Sequence, residues 1–161
     1  MGIINNDNQD VVAFGYLFEK IILFATDLGI QTCWLGGTFK REDFLLRINL
    51  QDNEYITIVS PVGYKKGKLR IFESAMRSVV GANNRKPWRI IRDDNLYHFY
   101  LCRTKGYGVA NYDIQKNDIG IAMCHFELTA NELGLDGNWQ EIKNINLPDE
   151  WEYVITWSAI M

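Results

Sequence analysis

Residues 28–39 read Leu-Gly-Ile-Gln-Thr-Cys-Trp-Leu-Gly-Gly-Thr-Phe, and this stretch decides how the first part of the chain folds. Before it, apolar residues recur at three- and four-residue spacing over 11–28, which predicts an amphipathic helix that ends at Gly29. Residues 30–35 then predict a buried strand, and Gly36-Gly37 predicts a tight turn after it. The stretch therefore indicates a helix, a glycine stop, a strand and a turn in direct succession.

The rest of the chain continues to mix helices and strands. Asp10 or Asn8 is the expected N-cap of the first helix. Alternating and apolar segments predict further strands at 54–60 (halted by Pro61 and Gly63), 88–92, 96–102, 137–142 and 151–157, and helices at 41–47, at 69–80, and from Asp118 as N-cap to Leu133, where Gly134 ends it. This order favours one α+β domain over 1–161, with a mainly antiparallel sheet flanked by helices and two long central helices.

Composition excludes several classes of protein. The 161 residues are 47% apolar and 23% charged, with a formal net charge of −3, so neither a nucleic acid nor a membrane surface is an expected partner. The longest apolar run is far shorter than the ~20 residues of a membrane span, and no signal peptide is visible, so the expected location is cytoplasmic. Cys33, Cys102 and Cys124 have apolar flanks and are expected to be buried or half-buried thiols.

The two long predicted helices resemble each other. Gly15 and Gly29 bracket the first with the same spacing as Gly120 and Gly134 bracket the second, and each second glycine is followed five residues later by a tryptophan. Two explanations remain open: any helix-to-strand joint favours Leu-Gly, or the domain is pseudo-symmetric. The second predicts that the two central helices pack against each other.

Four motifs in order resemble the nitroreductase family, in particular its branch of small proteins with a Leu-Gly-x-x-Thr-Cys-Trp-Leu-Gly-Gly signature. They are the stretch at 28–39 and the segments Ser-Pro-Val-Gly-Tyr at 60–64, Arg-Lys-Pro-Trp at 85–88 and Asp-Ile-Gly-Ile-Ala-Met-Cys-His-Phe-Glu-Leu at 118–128. The likeness runs from about Phe14 to Trp157.

The resemblance implies an activity and a cofactor site. Family members bind FMN at the interface of a homodimer and pass a hydride from NAD(P)H to nitroaromatics, quinones or similar acceptors, with the flavin supplying the chemistry. By position, Arg85 and Lys86 would lie near the FMN phosphate, and Asn84 would stand for a family asparagine that reaches the flavin of the other subunit. The residues implied to line the isoalloxazine ring are Trp34, Leu35, Gly36 and Gly37.

The chain departs from the family pattern in two places. It has no Arg-Arg-Ser-type motif at its start to hold the phosphate, and one Pro-Trp at 87–88 serves where relatives have two such motifs, so the chain is interpreted as shortened at its N-terminus and internally. Loss of two or three charge-assisted contacts would weaken FMN binding by a factor on the order of a thousand. Two alternatives follow: a degenerate relative without FMN that serves as a structural or small-ligand-binding dimer, or a fragment without independent activity.

The histidines and cysteines predict neither a metal site nor a nucleophile. His98 lies in an alternating strand and His125 in the second long helix, and no third ligand has matching spacing, so both are interpreted as structural and no metal site is expected. Cys33 and Cys124 are disfavoured as nucleophiles. The sequence assigns no catalytic residue.

Overall fold

The computed structural model describes residues 1–5, 10–64, 86–109, 112–143 and 150–160. The predicted helix at 69–80 lies outside these residues. The described elements are, in chain order, β1 (Gly2–Asn5), α1 (Val11–Asp27), β2 (Ile30–Thr32), α2 (Glu42–Leu45), β3 (Glu54–Ile58), β4 (Val62–Tyr64), β5 (Trp88–Asp93), β6 (Leu96–Leu101), α3 (Ile114–Glu132), β7 (Gly137–Gln140) and β8 (Glu152–Ala159).

All described strand pairs are antiparallel. β1 pairs with β3, β2 pairs with β4, and a four-stranded sheet has the order β5-β6-β8-β7. The hairpin between β5 and β6 turns at Asp94, which has a φ of 50°, as the Asp-Asp-Asn sequence predicts. The α+β class and the antiparallel sheets are thus confirmed.

The helices α1 and α3 pack against each other through glycines. A Cβ atom added to Gly15 would lie 2.5 Å from the carbonyl oxygen of Asn117, and one added to Gly120 would overlap the carbonyl oxygen of Val12. Each glycine therefore faces the residue three positions before the other, as expected of two helices related by a pseudo-two-fold axis. The predicted pair of central helices is confirmed.

The predicted ends of α1 are also confirmed. The Oδ1 atom of Asp10 accepts a hydrogen bond of 2.8 Å from the backbone N–H of Ala13, which caps the first turn. Gly29 and Gly134 follow the two helices with φ values of 71° and 73°, a left-handed conformation that favours glycine.

The predicted start of α3 at Asp118 is wrong. The helix begins at Ile114 with Asp113 at its N-cap, and Asp118 is buried in its second turn. The extra turn is held by tertiary contacts: the Oε1 atom of Gln115 accepts from the N–H of Thr104 at 2.8 Å, and its Nε2 donates to the carbonyl of Tyr107 at 2.6 Å.

Other predictions near the first sheet need correction. The strand predicted at 30–35 ends at Thr32, and Leu35 pairs with Val59 only as an isolated bridge. The strand predicted at 54–60 stops before Pro61 and Gly63, but it ends already at Ile58, and Gly63 lies inside a further, exposed strand β4, where it pairs with Gln31. The helix predicted at 41–47 spans only Glu42–Leu45.

Two apolar clusters form the interior of the part of the chain that the structure describes. The first lies between α1, β3 and the start of α3; the second lies between α3 and the four-stranded sheet, where Phe99 and Trp157 are fully buried. The buried members of the first are Ile4, Val11, Phe18, Ile22, Ile58, Tyr107, Tyr112 and Ile114, and those of the second are Phe99, Leu101, Ile119, Met123, Ala130 and Trp157. Across the described ranges, no helix combines the length and the apolar character that crossing a bilayer requires.

Candidate functional site

The segment Trp34–Gly37, called the glycine loop below, is fixed to strand β3 and its continuation. The N–H of Leu35 donates to the carbonyl of Val59 at 2.9 Å, and the N–H of Val59 donates back at 3.0 Å. The carbonyl of Gly36 accepts a hydrogen bond of 3.1 Å from Nη2 of Arg41. Gly37 is exposed, so the loop presents its backbone to solvent at this end.

Arg41 is the residue that ties the glycine loop to its surroundings. Its Nε donates to the carbonyl of Ile56 at 2.9 Å, and its guanidinium lies 4.8 Å from the ring centre of Tyr55 and 4.6 Å from that of Phe39. Two backbone carbonyls and two aromatic faces therefore use most of its bonding capacity. The sequence predicts Arg41 only as the start of a short helix. Its contacts could not be predicted, because its partners are distant in the chain or are brought near it by the fold.

The glycine at position 36 has a packing explanation. A Cβ atom there would lie 3.0 Å from Cδ1 of Ile114, 3.1 Å from Cδ1 of Ile58 and 3.2 Å from the hydroxyl oxygen of Tyr112. A side chain at Gly36 would thus press into the first apolar cluster. A Cβ on Gly37 would lie 3.3 Å from Cγ1 of Val109, so both glycines allow the loop to lie close against the protein interior.

The indole of Trp34 is held on two sides. Its ring meets that of Phe18 edge to face, with the centroids 4.9 Å apart. Its Nε1–H donates a hydrogen bond of 3.0 Å to Oε2 of Glu19 in α1. The ring is half-buried, so one part of it remains at the surface.

Glu19 is a functional candidate that the sequence reading did not single out. Its side chain is only 1% exposed, and its second oxygen, Oε1, lies 2.9 Å from Nε2 of His125 in α3. A carboxylate buried this deeply is costly unless both oxygens are bonded, and here they are. The signal was present: Glu19 lies four residues after Gly15 and three before Ile22, on the buried face of α1.

A second buried polar group lies behind the glycine loop, at the start of α3. The hydroxyl of Tyr112 is near Gly36, and Asn117 and Asp118 follow on the buried face of α3. Burial raises the pKa of Asp118 to about 7, although the nearby hydroxyl of Tyr107 acts in the opposite direction. Burial also raises the pKa of Tyr112, so this hydroxyl keeps its proton at neutral pH.

The predicted phosphate-binding residues are only partly described. Asn84 and Arg85 lie outside the described residues. Lys86 is exposed, and its backbone carbonyl accepts a hydrogen bond of 3.0 Å from Nη1 of Arg89. The placement of all three near a phosphate therefore stays a prediction.

The histidines have side-chain partners that support structural roles. Nδ1 of His98 lies 2.8 Å from the hydroxyl of Thr156, between neighbouring strands β6 and β8. His125 bonds Glu19 as described above. Neither belongs to a cluster of three or more metal-ligand side chains within the part of the chain that the structure describes.

The cysteines differ from each other in exposure. Cys124 is buried and Cys102 is half-buried, as expected, but Cys33 is exposed, so that prediction is wrong. Cys33 directly follows β2, which ends at Thr32 and pairs with the exposed strand β4 among the described residues. Burial raises the pKa of the Cys124 thiol to about 11, which makes it a poor nucleophile at neutral pH.

A groove of about 440 Å³ opens between α1, α3 and the strands β7 and β8. Val12, Tyr16, Met123 and Trp139 form part of its walls, and three carboxylates, those of Asp10, Glu141 and Glu152, lie along it. The glycine loop and Lys86 do not line this groove. The described residues of the predicted flavin site are therefore separate from the groove.

Comparison with known proteins relates part of the chain to one family. The family model described as "Putative TM nitroreductase" matches residues 2–80. This match includes β1, α1 and the whole glycine loop, and it ends before the hairpin of β5 and β6. The comparisons with curated proteins and with solved structures gave no match. The chain is therefore related to the nitroreductase family, through a match that covers residues 2–80.

Proposed function

We propose that this protein is an FMN-dependent NAD(P)H oxidoreductase that reduces nitroaromatic, quinone or similar acceptors. The family relationship supports a nitroreductase-like oxidoreductase, and the family is generally flavin-dependent. The observation that carries the proposal is the glycine loop itself, which lies inside the matched residues and is held by backbone hydrogen bonds with Gly37 at the surface.

The described residues fit one wall of a flavin site. The loop offers the half-buried indole of Trp34 and the exposed backbone at Gly37, both suited to a flat ring system. The small residue at Gly37 lets a ring approach the backbone, and the fixed carbonyl of Gly36 keeps that backbone in place. When bound there, FMN would supply hydride transfer between NAD(P)H and the acceptor.

A second copy of the chain is the proposed source of the opposite wall. Nitroreductase family members are typically dimers, and α1 carries an exposed apolar stripe at helical spacing. Its four members, Leu17, Ile21 and Phe24 in α1 and Leu28 at the C-cap of α1, are 58%, 61%, 65% and 54% exposed. Apolar side chains in one continuous row on a helix are suited to burial against another protein surface.

Flavin binding gives the direct test. We expect the purified protein to be yellow, or to become so on addition of FMN, and to oxidise NAD(P)H in the presence of a quinone or nitroaromatic acceptor. FMN at a hundredfold excess over its Kd should stabilise the folded chain by about 2.7 kcal/mol and raise its Tm accordingly. A colourless protein whose Tm does not respond to excess FMN contradicts the proposal and favours the FMN-free alternative.

Variants separate the two parts of the proposed site. Arg85→Ala should weaken FMN binding about tenfold or more if its guanidinium meets the phosphate, whereas Arg92→Ala, in the exposed hairpin, should leave the Kd unchanged. Phe24→Lys should shift the protein to a monomer in sedimentation experiments and lower FMN affinity with it. A wild-type protein that sediments as a monomer while binding FMN tightly would contradict the two-copy site.

A further inference from the structure

The structure holds a continuous hydrogen-bonded chain that links both central helices to the glycine loop. It runs from His125 in α3 through Glu19 in α1 to the indole of Trp34, with contacts of 2.9 Å and 3.0 Å. The indole Nε1–H can only donate, so Glu19 is its acceptor. Three separate elements are thus connected by one buried carboxylate.

Glu19 is the residue that joins the two hydrogen bonds, one to His125 and one to Trp34. It lies on the buried face of α1, beside the apolar Phe18 and Ile22, and is 1% exposed. Such a position stabilises the fold best when filled by an apolar side chain, because burying a carboxylate costs free energy even when it is paired. The presence of Glu19 at this position, with two well-placed hydrogen-bond partners, is therefore better explained by a role in orienting a side chain than by a contribution to stability.

The side chain that Glu19 orients is the indole of Trp34. Phe18 contacts the indole at its edge and face but leaves rotation about its side-chain bonds open, whereas a directional hydrogen bond fixes the ring plane. The next residues, Leu35 and Gly36, are held through their backbones by Val59 and Arg41. The ring and the backbone of the loop thus have independent supports, and the support of the ring is Glu19.

We propose that Glu19 is a positioning residue, held in place by His125, that fixes the indole of Trp34 and thereby the flavin-facing surface of the glycine loop. The inference rests on the proposed function, because the surface matters for catalysis only if FMN binds there. It adds a pair of residues in α1 and α3 to a site otherwise formed by the loop. Glu19 touches no reacting atom, so its effect is carried entirely through Trp34.

The test uses two readouts on the full-length protein. The first is the indole N–H resonance of Trp34 in the apoprotein, assigned by its loss in Trp34→Phe. In Glu19→Gln this resonance should move upfield, because a neutral amide oxygen is a weaker acceptor than a carboxylate. His125→Ala should move it in the same direction, and His125→Gln, which keeps an N–H donor toward Glu19, should restore most of the wild-type position.

The second readout is FMN affinity. Glu19→Gln should raise the Kd for FMN about tenfold, and Trp34→Phe, which keeps a ring but removes the donor, should do the same. Glu132→Gln is the matched control, since Glu132 is exposed at the end of α3 and makes none of these contacts. Trp34→Phe also keeps the test valid if Glu19→Gln fails to fold.

The outcomes separate this inference from the proposed function. A Glu19→Gln protein with a lowered Tm but a wild-type Kd for FMN overturns the positioning role, because burial alone would then explain the residue. An unchanged Trp34 resonance in Glu19→Gln overturns it as well. A wild-type protein that takes up no FMN refutes the proposed function and leaves the resonance alone to decide whether Glu19 fixes the indole.

Discussion

Asp118 makes the stability of this protein depend on pH. The residue is 3% exposed, its Oδ2 has no hydrogen-bond partner among the described residues, and burial raises its pKa from 3.8 to about 7. The folded chain therefore binds this proton more tightly than the unfolded chain. The stabilisation is complete below about pH 4 and is lost as the pH rises through about 7.

The magnitude follows from the size of the shift. Each pKa unit corresponds to about 1.4 kcal/mol, so a shift from 3.8 to about 7 corresponds to about 4 kcal/mol across this range. Asp118→Asn keeps the shape of the side chain and removes the proton equilibrium. Between about pH 4 and about pH 8, the free energy of unfolding of the wild type should therefore fall by about 4 kcal/mol relative to that of the variant.

Urea unfolding followed by circular dichroism over this pH range measures the difference directly. Asp136→Asn is the matched control, because it makes the same substitution at an exposed position. If the curves of Asp118→Asn and wild type run parallel from about pH 4 to about pH 8, the carboxyl is not held neutral by burial, and the assignment of its pKa is refuted.

Two further predictions concern the helix pair and the thiols. Gly120→Ala should lower the free energy of unfolding by about 1–3 kcal/mol in urea titrations, since its Cβ would overlap the backbone of Val12, whereas Gly63→Ala, which has open space, should cost far less; equal effects would contradict the close helix contact. Cys33 should react with a thiol reagent in the native protein at a rate at least about tenfold above Cys124, because one thiol is exposed and the other is buried. Equal labelling rates, read by mass spectrometry, would contradict that difference in burial.

Local signals predicted the elements that are set by local physics. Asp10 caps α1, and Gly29 and Gly134 end the two long helices, because a side-chain acceptor and a left-handed backbone act within one turn. The hairpin of β5 and β6 was predicted for the same reason. The glycine loop could also be placed in sequence, directly after the first helix and strand.

Features fixed by distant contacts were missed. The first turn of α3 depends on Gln115 bonding to the backbone of Thr104 and Tyr107 in the preceding segment. The short strand β4 exists because it pairs with β2, and its three residues are too few to show an alternating apolar and polar pattern. Glu19 and Arg41 acquire their importance from partners in other elements, although Glu19 at least carried a signal as a charge on an apolar face.

The reciprocal contact of Gly15 with Asn117 and of Gly120 with Val12 has a consequence for how the protein responds to dilution. Because both helices belong to one chain, each meets the other at an effective concentration that the connecting polypeptide sets, independent of how much protein is present. Dilution would therefore separate the two copies of the proposed dimer, but it cannot separate α1 from α3. Because the contact between α1 and α3 lies within one chain, a monomer released at low concentration should remain folded.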